Sequence, residues 1–237
     1  MTSILSSALS TLQCLSSSLL KSTTRPKRVT LLVTGLDNTG KTTLLHRMRN
    51  LNPGYDPVSG SAFSSASWTD IQLTTTTGKH LLLDAIDLGG LRYRDHPGGI
   101  RQLWRDSLTD VGVDGIVFVV DAADRERFGK AEALLGDLWG VLREFEREGP
   151  RGEADSTREG RRAIPVLVLG NKIDAVGAVS EEELRDVMGV PVWGGNKSGG
   201  RDGKEEVEVP RPVELFMCTV VTNQGYQEGF EWLVRHV

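Results

Sequence analysis

A glycine-rich stretch near the start of the chain has the residue types and spacing that bind phosphate. Residues 35–43 read GLDNTGKTT and fit the pattern G-x-x-x-x-G-K-[ST]. The apolar run at 29–33 predicts a strand before this loop, and the run at 44–48 predicts a helix after it. Backbone N–H groups of such a loop point at phosphate oxygens from a helix N-terminus. The expected phosphate-binding residues are Asp37, Asn38, Thr39, Gly40, Lys41, Thr42 and Thr43.

Two side chains of this loop have separate roles in the predicted chemistry. Lys41 should reach the β- and γ-phosphates and stabilise their charge, which makes it the first catalytic candidate. The Thr42 hydroxyl should ligate Mg²⁺. A chance glycine-rich turn is the alternative, and the strand and helix predicted on either side argue against it.

A second polar motif follows an apolar run and favours guanine. Residues 166–169 read VLVL and lead into Gly170-Asn171-Lys172-Ile173-Asp174. A buried carboxylate at Asp174 can accept from the ring N–H and the exocyclic amine of guanine, and adenine lacks that pair of donors. Asn171 can tie this loop to the phosphate loop. The aliphatic stem of Lys172 can cover the face of the base.

A third motif, Asp87-Leu88-Gly89-Gly90, follows the apolar run at 81–86. Asp87 is placed to hold Mg²⁺ through water. The Gly90 N–H can meet a γ-phosphate, so the segment after it would respond to hydrolysis. A turn formed by the glycine pair is the structural alternative.

Strand and helix patterns alternate along the chain, which predicts an α/β fold with a mostly parallel six-stranded sheet and helices on both faces. All three motifs follow predicted strands, so the nucleotide should lie at the carboxyl ends of the sheet. The strands are predicted at 29–34, 70–74, 81–86, 115–121, 165–170 and 213–219. The helices are predicted at 41–50, 128–148, 180–188 and 226–237.

Bulk composition limits the functional classes. The length of 237 residues suits one domain, and a net charge of −4 provides no basic field that would favour nucleic acid. Cys14 and Cys218 match no metal spacing and indicate no disulfide framework, so a reducing, cytosolic setting is expected. No apolar run reaches membrane-spanning length.

Residues 1–24 have a leucine-rich face at helical spacing, with Ser and Thr on the opposite face. This pattern predicts an amphipathic membrane-binding segment that buries its apolar face at the lipid interface. A disordered, serine-rich tail is the alternative. Residues 25–237 then form the catalytic domain, with polar insertions predicted near 149–162 and 194–211.

These residues together resemble small GTPases of the Arf superfamily, and the chain is identified as a divergent member of the Sar branch. The stretches 35–38 (GLDN), 87–90 (DLGG) and 113–118 (VDGIVF) are similar to the superfamily. The stretches 211–218 (RPVELFMC) and 224–233 (QGYQEGFEWL) resemble the Sar branch. The resemblance covers roughly residues 28–237 and implies the P-loop GTPase fold.

The resemblance also implies function and partners. It implies a GTP/GDP switch with Mg²⁺ and an N-terminal helix that inserts into the endoplasmic reticulum (ER) membrane in the GTP state. It implies a membrane exchange factor, and coat subunits recruited for ER-to-Golgi vesicle transport. The location implied is the cytoplasmic face of the ER, the vesicle coat and the Golgi, and the cytosol when GDP is bound. By position, Thr219 and Val220 match the loop whose backbone contacts guanine.

The chain departs from the family pattern at two places. The family has a water-positioning histidine directly after Asp-x-Gly-Gly, where this chain has Leu91; His96 is an alternative occupant of that site. The family's first-switch threonine, which ligates Mg²⁺, aligns best with Ser67 and alternatively with Thr69. Slow intrinsic hydrolysis is therefore expected. A GTP-binding scaffold with little or no hydrolysis, another Arf-like GTPase and a P-loop kinase are the alternative functions.

Overall fold

A six-stranded sheet forms the centre of the computed structural model, which describes residues 26–50, 66–74, 76, 78, 80–88, 99–148, 163–191 and 211–237. The strand order is β2-β3-β1-β4-β5-β6; β2 is antiparallel to β3 and the other pairs are parallel. The strands are β1 Lys27–Thr34, β2 Ala66–Thr74, β3 His80–Asp87, β4 Gly115–Asp121, β5 Val166–Asn171 and β6 Val213–Met217.

Five α-helices connect and cover these strands within the described ranges. They are α1 Lys41–Asn50, α2 Gly99–Asp106, α3 Phe128–Glu148, α4 Glu181–Met188 and α5 Tyr226–His236. A π-helical turn, Ser107–Val111, continues α2, and a 3₁₀ turn, Arg125–Arg127, precedes α3. The predicted α/β fold class is confirmed. No described helix combines the length and apolar content needed to cross a bilayer.

Helix α2 was not among the predicted elements. Ile100 and Trp104 form its buried face, and Leu108 continues that face into the π-helical turn, so an apolar spacing of four residues was present in the sequence. The helix is short and rich in charge, which weakens the pattern. Trp104 anchors it by donating its Nε1–H to the Thr34 hydroxyl at 3.1 Å, directly before the glycine-rich loop.

Several element boundaries also differ from those predicted. Strand β2 begins at Ala66 rather than at residue 70, because the chain before a bulge between Trp68 and Ile71 still pairs with β3. Strand β6 ends at Met217, and Thr219 instead forms an isolated bridge with Gln224. Ser180 caps α4 by accepting from the Glu183 N–H at 3.2 Å, so it lies outside the helix.

The core lies on both faces of the sheet, and every residue of β4 is buried. Leu32, Phe118 and Leu135 lie in the core that includes α3, while Leu44 and Phe230 lie in the core that includes α1 and α5. This two-sided burial explains the continuous apolar runs of the parallel strands.

Strand register brings the ends of three strands to one edge. Val33 of β1 is opposite Asp87 of β3 on one side and opposite Val117 of β4 on the other. The polar motifs therefore meet at the carboxyl ends of the strands, as predicted. At the opposite edge, Arg211, just before β6, donates Nη2 to Glu146 Oε2 at 2.8 Å near the end of α3.

Candidate nucleotide-binding site

The glycine-rich loop connects β1 to α1 and depends on two glycines. Gly35 has φ +135°, and a Cβ there would lie 2.2 Å from the Val119 carbonyl oxygen of β4. Gly40 has φ +97°, and its Cβ would lie 2.3 Å from Asn171 Nδ2. Both positions need a residue without a side chain, because the backbone turns into the left-handed region at close quarters. The loop is thus packed directly against β4 and the second motif.

Lys41 is the buried cation of this loop. It is 4% exposed, and its Nζ donates to the carbonyl oxygens of Gly35, at 3.1 Å, and Leu36. Burial lowers the pKa of Lys41, and the negative charges of Asp87 and Asp37 partly oppose that effect. The ammonium makes no direct ion pair with a described residue. A buried cation surrounded by carbonyl groups favours an incoming anion.

Thr42 and Asp87 bring two hard oxygen ligands together. The Thr42 hydroxyl donates to Asp87 Oδ2 at 2.6 Å, and Asp87 is 3% exposed. A hydroxyl that donates its hydrogen to the carboxylate keeps its lone pairs for a cation. Such oxygen ligands suit Mg²⁺ in number and type when phosphate and water complete the shell. Within the described ranges, no cluster of three or more His, Cys, Asp or Glu residues is placed to bind a metal.

Asn171 connects the three loops that surround the site. Its Nδ2 donates to the Thr39 carbonyl oxygen at 2.8 Å, which confirms the predicted tie to the phosphate loop. Its Oδ1 accepts from the Val220 N–H at 3.2 Å and lies 3.8 Å from the Cys218 sulfur. The side chain is 3% exposed, so these bonds are shielded from water.

Lys172 and Asp174 form the outer part of the second motif. Lys172 has φ +69°, and its Nζ pairs with Asp121 Oδ2 at 2.7 Å. This contact fixes the direction of the Lys172 stem at the end of β4. Asp174 is exposed, which differs from the buried carboxylate that the motif predicted. Asp174 lies three residues after the end of β5, in the turn that follows the strand.

Thr219 and Val220 lie beside this motif, after β6, with both backbone N–H groups already used. The Thr219 N–H donates to the Gln224 carbonyl oxygen at 3.0 Å, and the Val220 N–H donates to Asn171. The Thr219 hydroxyl is buried and has no partner among the described residues. A purine oxygen could therefore meet this loop through the hydroxyl or through a rearranged amide.

Arg127 is a site residue that sequence reasoning missed. It lies in the turn before α3, and its Nη1 donates to the Asp37 carbonyl oxygen at 3.2 Å and to Asp37 Oδ1 at 3.0 Å. The sequence separation is 90 residues, so no local pattern indicated the contact.

Some predicted positions lie outside the described residues. They are Gly90, Leu91, His96, the N-terminal segment 1–24 and the insertion at 149–162. The insertion at 194–211 is outside too, except for Arg211. Ser67 is described only as a position of β2 that lies opposite Ile86 of β3. The alternative metal ligand, Thr69, is exposed.

Comparison with known proteins decides the family. Residues 15–146 and 152–237 match the ADP-ribosylation factor family. The chain belongs to this family. Members of the ADP-ribosylation factor family bind GTP and hydrolyse it, which agrees with the phosphate loop and the guanine motif at one edge of the sheet.

Individual relatives lie in two branches of the family. The chain is 30% identical over 216 residues to the small COPII coat GTPase SAR1 of Giardia intestinalis, covering 89% of this chain and 91% of that protein. It is 27% identical over 208 residues to ADP-ribosylation factor-like protein 3 of Chlamydomonas reinhardtii, covering 87% of this chain and 89% of that protein.

A solved structure shares the fold. The Arl6 BBS3 small GTPase of Trypanosoma brucei, with the bound nucleotide analogue GppNp, matches with a TM-score of 0.56 and 21% identity. The match covers 89% of this chain and all of that one. The predicted P-loop GTPase fold is confirmed by this likeness.

Proposed function

We propose that this protein is a GTP/GDP switch that binds its nucleotide with Mg²⁺ and hydrolyses GTP slowly. The observation that carries the proposal is the buried Lys41 ammonium. Among the described residues it donates to backbone carbonyls, and it lies next to Thr42, which contacts Asp87. A triphosphate would supply the missing negative charge. The metal, when bound, would neutralise phosphate charge.

The residues of this chain divide the work of nucleotide binding. Lys41 holds phosphate oxygens and stabilises charge on them. Thr42 and Asp87 would hold Mg²⁺. Asp174 would accept from the guanine edge, and Asn171 keeps the base and phosphate loops together.

Hydrolysis is expected to be slow, because Leu91 stands at the family's histidine position and cannot orient water by hydrogen bonding. Loss of one such group commonly costs about a hundredfold in rate. His96 remains the alternative water-positioning residue, and Ser67 the expected first-switch metal ligand. A coat partner could add an arginine in trans.

The cellular role that we propose is that of a Sar-like GTPase. The support is the 30% identity to a small COPII coat GTPase and the Sar-like stretches at 211–218 and 224–233. The protein would bind the ER membrane through residues 1–24, recruit coat subunits and respond to a membrane exchange factor. It would act at the cytoplasmic face of the ER, on the coat and at the Golgi. An Arf-like role is the alternative, since an ADP-ribosylation factor-like protein is 27% identical to this chain.

Calorimetry with GDP, GTP and ADP, with and without Mg²⁺, tests nucleotide binding. The wild-type chain should bind both guanine nucleotides and prefer them to ADP, and chelation of Mg²⁺ should weaken binding. Asp174→Ala should reduce the preference for guanine by about a hundredfold, because two hydrogen bonds to a charged group are lost. Asp186→Ala, an exposed acid on α4, is the matched control. Absence of heat with either guanine nucleotide would refute the proposal.

The second candidate is a GTP-binding scaffold without hydrolysis, and Leu91 favours it. Single-turnover hydrolysis, measured with and without coat subunits, separates the two functions. Phosphate release in either condition identifies a GTPase. Intact GTP in both conditions identifies the scaffold.

A further inference from the structure

The phosphate loop contains one acidic residue, Asp37, between the two glycines. Its side chain is 73% exposed, and its negative charge helps to hold up the pKa of Lys41 against the larger effect of burial. The charge of Asp37 therefore interacts with the Lys41 ammonium, the group that would hold the phosphates. An uncompensated carboxylate at this place would repel a phosphate anion.

Arg127 contacts Asp37 twice. The same Nη1 donates to the carboxylate oxygen and to the backbone carbonyl of Asp37, so one cation fixes both the side chain and the loop backbone. The next residue, Asn38, has φ +59°, so the contact lies where the loop turns into the left-handed region. Arg127 also lowers the pKa of Lys41, after the larger effect of burial, so its charge is felt in the same site.

Asp124 orients Arg127. Its Oδ2 accepts from Arg127 Nε at 2.6 Å, and its carbonyl oxygen accepts from the Arg127 N–H at 3.1 Å. The hydrogen bond that Arg127 donates to Asp124 is the main cause of the raised pKa of Arg127, so the guanidinium stays charged. Only 24% of the Arg127 side chain is exposed, which limits the rotamers open to it.

The same turn also contacts the guanine motif. The Asp124 N–H donates to the Asp121 carbonyl oxygen at 3.3 Å, and the Asp121 carboxylate pairs with Lys172. The segment from Asp121 to Arg127 thus contacts the base loop at one end and the phosphate loop at the other. A displacement of either loop would be resisted through this one turn.

We propose that Arg127 is a positioning residue that neutralises Asp37 and holds the phosphate loop in the conformation that binds nucleotide. The turn that contains Arg127 also contacts Lys172 through Asp121. This inference rests on the proposed function, because it concerns the rate at which the same site releases GDP. Arg127 need not touch the nucleotide; it acts through Asp37.

GDP dissociation from the full-length protein tests the proposal, with Arg125→Ala as the matched control. Arg125 lies two residues away and pairs with Glu183 of α4, away from the loop. Arg127→Ala should release GDP about tenfold faster than Arg125→Ala, since a hydrogen-bonded charge pair is lost. Equal rates for the two variants would overturn the proposal.

A rescue experiment separates charge neutralisation from a merely structural role. Adding Asp37→Asn to Arg127→Ala removes the repelling charge, so dissociation should return to within about twofold of Asp37→Asn alone. A double variant as fast as Arg127→Ala would overturn the proposal.

A second pair of variants covers the case in which the alanine variant fails to fold. Arg127→Lys keeps the positive charge and Arg127→Gln removes it, so the Gln variant should release GDP several times faster than the Lys variant. Equal rates for these two would also overturn the proposal. If the wild-type chain binds no GDP, the proposed function fails as well; if only the variant comparisons fail, the proposed function stands.

Discussion

Replacing Asn171 with Ala should destabilise the protein and weaken nucleotide binding together. The change removes the bond to the Thr39 carbonyl and the bond from the Val220 N–H, both at a side chain that is 3% exposed. Each bond contributes about 1 kcal/mol, and a group left buried without a partner costs about 1–3 kcal/mol. We expect a loss of roughly 2–4 kcal/mol in the free energy of unfolding, because water entering the new space offsets part of the penalty.

Thermal unfolding with and without GDP measures both effects. At about 2–4 °C per kcal/mol for a chain of this size, Tm should fall by roughly 4–16 °C without ligand. The rise in Tm on adding saturating GDP should also shrink, because the loops no longer hold one geometry. Gln227→Ala, an exposed change on α5, is the control and should move Tm by no more than about 2 °C. A Tm of Asn171→Ala equal to that of the control would refute the reasoning.

Two further changes test the loop and the buried thiol. Gly40→Ala should weaken GDP binding in calorimetry by about tenfold or more, since φ +97° is strained for alanine and the new Cβ meets Asn171 Nδ2. The control is Gly136→Ala on α3, where a Cβ meets nothing, and it should leave GDP binding unchanged. Burial raises the pKa of the Cys218 thiol to about 12, so the folded state keeps a proton that the unfolded chain loses near its ordinary value of 9.0. The folded state is then favoured fully below that value and less as pH rises, and denaturant unfolding should show a loss of about 1 kcal/mol from about pH 7.5 to about pH 9.5. Cys218→Ala should flatten this slope, and an unchanged slope would assign it to other groups.

The parts of the fold that sequence predicted best were those with a strong local signal. The β4 and β5 runs are buried on both faces and so consist almost wholly of apolar residues, and the phosphate loop has a fixed spacing of Gly and Lys. Topology then follows, because parallel strands joined by helices bring motifs that follow strands to one edge.

The features that sequence missed depend on contacts between distant residues. Helix α2 is held by Trp104 reaching Thr34, at a separation of 70 residues. The Arg127–Asp37 contact joins residues 90 apart. Asp174 lies in a turn after β5, and the motif has no signature for the exposure of its last residue. The two long-range contacts have no local sequence pattern, and the apolar spacing of α2 was present but weakened by its charged residues.

The ion pair between Arg211 and Glu146 has a practical consequence. It lies where α3 ends and β6 begins, at the opposite end of the parallel strands from the loop that contains Lys41. A fluorophore or affinity handle attached there would report tumbling or capture the protein on a support while leaving the catalytic edge open to solvent.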